Sequence, residues 1–189
     1  IRRMAISLVR LIVENEIKIK LKDLIVYTCS VYRDQGYEFD TKKIQKELSD
    51  FIIERLKNYL KEKKIRQDII ESSTFLLGLD DLLKAYKKSL CLNKNIKKEI
   101  GFETIAVYKR SSNILNSEEK ISLETLGFAD PGLFKNDYEK KLYKKINDIR
   151  KYFLSIGKDE DYDESLKILS SIKNEVNNFF DNVIVNDED

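Results

Sequence analysis

Histidine is absent from the 189 residues, which removes the usual general base, the commonest zinc ligand and a member of every Ser-His-Asp or Cys-His triad. With 1 proline and 6 glycines, the chain lacks the turn chemistry that the many short strands of a sandwich or barrel demand. The cysteines, Cys29 and Cys91, are too few for a four-thiolate zinc site. They lie in apolar helical surroundings, where buried reduced thiols are expected, and a reducing cytoplasm is the natural compartment. No stretch reaches the roughly 18 uncharged apolar residues of a membrane span; residues 4–13 come nearest and are interrupted by Arg10. There is also no glycine-rich phosphate loop, no GKS or GKT, no HExxH and no CxxC. No catalytic residue, metal ligand or cofactor-binding residue is assigned.

What remains is 42% hydrophobic and 36% charged residues with a net charge of +2. This is apolar enough to collapse and charged enough for long amphipathic helices. The length fits about one domain at roughly 150 residues each, so the expectation is a single all-α domain over 1–189. Charge is unevenly spread. Between Arg55 and Arg110 the bases outnumber the acids two to one, and from Lys158 to Asp189 the acids outnumber the bases about threefold.

Helical spacing begins at once, with Ile1, Met4, Ala5, Leu8 and Ile12 on one face. No initiator methionine or N-cap precedes it, as expected of a helix continuing from upstream. A helix over 2–14 and another over 22–34, with Leu24, Ile25 and Thr28 facing one way and Gln35-Gly36 as its stop, form a leading hairpin over 1–36. Asp40 or Thr41 caps a long helix with the stripe Ile44, Leu48, Phe51, Ile52, Leu56, Tyr59 and Leu60. A shorter helix over 67–76 ends at Gly78, and Asp80 or Asp81 starts the next. A helix over 98–115 presents Phe102, Ile105, Ala106, Lys109 and Asn113, with Gly101 tolerable near its start. Residues 116–135 read as an ordered crossover, and 136–182 as a hairpin of two long antiparallel helices. The acids Asp159, Glu160, Asp161, Asp163 and Glu164 at the joint suit a turn and a helix start.

Three groups of residues could meet a polyanion. Lys84, Lys87 and Lys88 share a helix face, and Lys94, Lys97 and Lys98 follow; such clusters attract phosphates by counterion release, and equally arise in any lysine-rich composition. In Tyr108-Lys109-Arg110-Ser111-Ser112-Asn113, Asn113 lies three residues after Arg110 and four after Lys109, so these side chains can converge. An Arg fork and an Asn amide suit base edges or a phosphate, and suit the capping of a neighbouring helix end as well. Near the end, Phe179 and Phe180 are open to core packing or to stacking on an unpaired base, and Asp181 to capping or to pairing with a base.

Those segments carry a resemblance. YKRSSNIL over 108–115, Leu133-Phe134, Glu139-Lys140-Lys141-Leu142 and FFDNVIV over 179–185, in that order and spacing, resemble the C-terminal region of the bacterial glycyl-tRNA synthetase β subunit. Arg2-Arg3-Met4-Ala5-Ile6, Val9-Arg10-Leu11-Ile12, FIIERLKNYL over 51–60 and Asp68-Ile69-Ile70 extend the resemblance over essentially the whole chain. The KRxxNI pattern falls on Lys109, Arg110, Asn113 and Ile114, while Ile184 and Asn186 stand where the family often has Met. The resemblance implies an all-helical bundle like the anticodon-binding domain of class I arginyl-tRNA synthetase. It also implies an enzyme of two α and two β subunits, with ATP, magnesium and the aminoacylation site on the α subunit, and glycine tRNA as partner. On that reading lysines of the middle helices, with Lys84, Lys87 and Lys88 among them, hold phosphates of the anticodon stem, Arg110, Asn113 and Phe180 address anticodon bases, and Lys109 and Asp181 complete the tRNA-binding set. The alternative is a helical protein-interaction or subunit-assembly module without RNA specificity.

Overall fold

The computed structural model describes residues 1–75, 81–117, 129–156 and 161–183. The expected break at Gly78, the cap at Asp80, most of the crossover, the Gly157 joint with Asp159 and Glu160, and the tail after Val183 lie outside these residues, as do the side chains of Ile114 and Leu115. All the regular structure among the described residues is helical, as expected, and it falls into two compact units, Ile1–Lys94 and Asn95–Asp189.

The first unit begins with α1, Arg2–Glu14, and α2, Leu21–Asp34. Both pack on the long α3, Thr41–Glu62. α1 buries Ala5, Val9, Ile12 and Val13, while Ile1 is 93% and Met4 75% exposed; the buried stripe is thus rotated from the expected one. α2 is rotated in the same way and buries Leu21, Ile25 and Cys29 in place of Leu24 and Thr28. In both helices two apolar stripes compete in the sequence, and the one that meets α3 is set by packing. The start of α3 is as expected, with Asp40 Oδ1 accepting from the backbone N–H of Lys42 at 2.9 Å and Lys43 at 3.2 Å. Its C-terminal half buries Ile52, Leu56, Tyr59 and Leu60, while Leu48 stays exposed.

α4, Gln67–Phe75, lays Ile69, Ile70 and Ser73 against α3 and is tied to it by Lys57–Glu71 at 2.7 Å. α5, Leu82–Asn95, starts at Asp81, whose Oδ1 accepts from Lys84 N, and buries Leu82, Leu83, Ala85 and Cys91. Both cysteines are buried free thiols.

Tyr59 ties α3 to the end of α1, its hydroxyl donating to Glu14 Oε1 at 3.1 Å. Burial, and then that carboxylate, push the phenol up to about 12. The folded value lies above the unfolded value of about 10, so this group's stabilisation is complete below pH ~10 and drains away as pH rises towards 12. Tyr59→Phe should remove that alkaline component, and urea unfolding at pH 9 and pH 11.5 measures it. An unchanged alkaline loss in the variant would contradict the assignment.

The second unit opens with α6, Glu99–Ser117. Gly101 is more than tolerable there: a Cβ would strike Asn95 O and come within 2.7 Å of Ile96 Cα, so the glycine permits a close backbone approach. After a 3-10 turn at Pro131–Leu133, α7 runs over Asp137–Ser155. A capping box starts it: Asn136 Oδ1 accepts from Glu139 N at 3.1 Å, and Glu139 Oε2 accepts from Asn136 N at 2.8 Å.

The last expected helix is two helices, α8, Tyr162–Ser170, and α9, Lys173–Asn182. Ser170 and Ser171 donate their hydroxyls to Lys167 O and Ile168 O, at 2.9 and 2.7 Å. Those bonds compete with the helical ladder, and Ile172 N is left with the tighter i−3 partner Leu169 O. Asp161 caps α8 through Asp163 N and Glu164 N, the role expected of the acidic joint. α9 packs on both α6 and α7.

Candidate nucleic-acid interface

α6 and α9 run side by side in the same direction. Lys173 Nζ donates to Glu103 Oε1 at 2.7 Å near their starts. Two turns further along α6, Arg110 reaches two successive turns of α9, with one guanidinium nitrogen donating to Asn177 Oδ1 at 3.0 Å and the other to Asp181 Oδ1 at 2.6 Å. The guanidinium also lies 5.2 Å from the Phe180 ring centroid, and Phe180 meets Phe179 edge to face. These contacts follow from spacing: Lys173, Asn177 and Asp181 are i, i+4 and i+8 on one face of α9, and Glu103 and Arg110 are i and i+7 on α6.

Arg110, Phe180 and Asp181 are thus brought together. Asn177 was missed by the sequence reading, and its only signal was the four-residue spacing to Asp181. Lys109 and Asn113 are exposed and do not join this seam. Arg110 is committed to α9, whereas Lys109 and Asn113 turn their donors to solvent. The Arg110–Asp181 pair is itself 36% and 61% exposed, so its Coulombic part is worth at most about 1 kcal/mol. The two hydrogen bonds and the ring contact make it a fastening between helices.

Lys84, Lys87 and Lys88 belong to α5 of the first unit, all three half-buried. Lys87 is paired with Glu16 at 2.8 Å, tying α5 to the end of α1, while Lys84 and Lys88 make no ion pair with a described residue. A half-open hollow of about 400 Å3 in the same unit is lined by Ile25, Cys29, Tyr32, Tyr37, Phe39 and Leu48 among others, with no charged side chain and none of these lysines. Among the described residues no group of three His, Cys, Asp or Glu could hold a metal ion, and no helix is long and apolar enough to cross a membrane.

The helical unit whose α6 carries Lys-Arg-Ser-Ser-Asn and fastens through its arginine to Phe-Phe-Asp on a later helix lies in the stretch, residues 104–189, that matches the family described as the DALR anticodon binding domain. Residues 1–74 match the family described as the glycyl-tRNA synthetase beta subunit. Along its whole length the chain is similar to glycyl-tRNA synthetase β subunits. It is 32% identical over 190 residues to the glycine–tRNA ligase beta subunit of Rickettsia canadensis (strain McKiel), covering 100% of this chain and 26% of that protein. Identity to the same subunit of Rickettsia prowazekii (strain Madrid E) is 32% over 189 residues, with the same coverage. The chain spans about a quarter of the length of the curated relatives it matches.

Proposed function

We propose that this chain is the tRNA-gripping C-terminal part of a glycine–tRNA ligase β subunit, with its second unit addressing the anticodon arm of glycine tRNA. The observation that carries this reading is that the stretch matching the anticodon-binding family contains the α6–α9 seam, where Arg110, Phe180 and Asp181 meet. Arg110 holds α9 in register, Phe180 offers a ring for stacking, and the exposed Lys109 and Asn113 supply donors to a phosphate or a base edge. Lys84, Lys87 and Lys88 add charge for the stem, Lys87 less than the others because Glu16 already neutralises it.

In the whole enzyme, two α and two β subunits assemble in the cytoplasm, and the α subunit joins glycine to its tRNA with ATP and magnesium. This chain contributes binding and no catalytic group. Titration of the chain with glycine tRNA, an anticodon-swapped version and an unrelated tRNA at two salt concentrations tests the reading. Tighter binding of the glycine anticodon supports it, and equal binding of all three contradicts it.

A further inference from the structure

The second unit carries its charge asymmetrically. Along α8 and α9, with the Asp161 cap, Asp161, Asp163, Glu164, Glu175 and Asp181 face only Lys167 and Lys173. α7 has the reverse balance, with six bases against Asp137, Glu139 and Asp148, and Glu139 is spent on the capping box.

Lys140, Lys144 and Lys151 stand at i, i+4 and i+11, within about 40° of one another around the axis at 3.6 residues per turn. All three are exposed. Half-buried Leu142, Ile149, Phe153 and Ile156 occupy the opposite side of a helix that packs on α9. Lys141 and Lys145 flank the stripe. Lys144 and Lys151 make no ion pair with a described residue. Lys140 has only Asp137 at 3.8 Å, both side chains largely in solvent.

Asp137 and Asp148 stand beside this face, Asp137 four residues before Lys141 and Asp148 four after Lys144, and offset only part of its charge. Here Lys140 stands before Lys144 and Lys141 before Lys145, repulsive i,i+4 pairs that a polyanion relieves. From Lys140 to Lys151 the helix rises about 16 Å, enough to meet several successive phosphates of a nucleic-acid strand.

We propose that the outer face of α7 grips the phosphate backbone of double-stranded RNA, reading no sequence, as a second contact of this unit with the stem of its tRNA. The proposal rests on the tRNA-binding reading above. Its test is a salt titration of glycine tRNA binding by the full chain carrying Lys140→Gln, Lys144→Gln and Lys151→Gln together, with the three Lys→Arg changes as the charge-keeping counterpart and circular dichroism as the folding check. The glutamine variant should lower the slope of log affinity against log salt by about 2 to 3. Between 50 and 200 mM salt it should then lose roughly 15- to 65-fold less affinity than the parent. The arginine variant should keep the parental slope, and an anticodon-swapped tRNA should show the same loss. An unchanged slope, or a loss confined to one anticodon, overturns the phosphate grip while leaving the anticodon reading standing. Absence of tRNA binding by the parent overturns both.

Discussion

Arg110→Ala should weaken glycine tRNA binding by about 1 to 3 kcal/mol, roughly 5- to 150-fold, with loss of discrimination among anticodons. The change removes the donors to Asn177 and Asp181 and the cation against Phe180 in one step, so the ring and the α6–α9 register go together. Arg110→Lys keeps the charge and loses the fork that spans two turns of α9, so it should rescue little. Asp181→Asn separates fastening from charge: it keeps an acceptor for Arg110 and removes one negative charge from the seam, so on the proposed tRNA-binding reading affinity should hold or rise. Equal affinity of the Arg110→Ala variant and the parent would remove the α6–α9 seam from the binding account.

Leu60→Ala should cost about 2 to 5 kcal/mol of folding stability, because Leu60 is 0% exposed at the centre of the first unit and truncation leaves a cavity. The helices packed on α3 are closely buried too: Val9 and Ile12 of α1, Leu56 of α3 and Ile70 of α4 are at most 2% exposed. Met4→Ala is the matched control. Met4 belonged to the stripe expected on α1 and lies in solvent at 75% exposure, so its loss should change stability by no more than about 0.5 kcal/mol. Urea unfolding followed by helical circular dichroism distinguishes the two. A large Met4 effect with a small Leu60 effect would restore the original stripe and contradict the observed packing.

The helices themselves were largely legible because their boundaries carry local chemistry: Asp40 before α3, Asp81 before α5, Asp161 before α8 and Gly36 after α2 act through atoms within a few residues. The ends of α1 and α3 were harder to read. There the left-handed positions are Glu16 and Lys64, and Ile17 N and Ile65 N close onto Ile12 O and Leu60 O, so the glycine signal is missing although the motif is present. The faces of α1 and α2 could not be chosen from periodicity, since two apolar stripes compete and only α3 decides between them. The division between α8 and α9 hides in two serines that a helical pattern absorbs without trace.

For the candidate site, the motif pointed to Arg110, Phe180 and Asp181, about 70 residues apart in sequence. Nothing local revealed that the arginine would spend its donors on α9 and leave Lys109 and Asn113 outside the seam. The α7 stripe was overlooked because its lysines matter by which side of the helix they share, and that side is defined only once α9 covers the other.

Footprinting of glycine tRNA by this chain tests the central claim most directly. Cleavage along the tRNA backbone should be protected over the anticodon loop and stem and unchanged at the acceptor end, with loop protection lost in the Arg110→Ala variant. Protection centred on the acceptor end, or none at concentrations that saturate binding, would contradict an anticodon-arm grip.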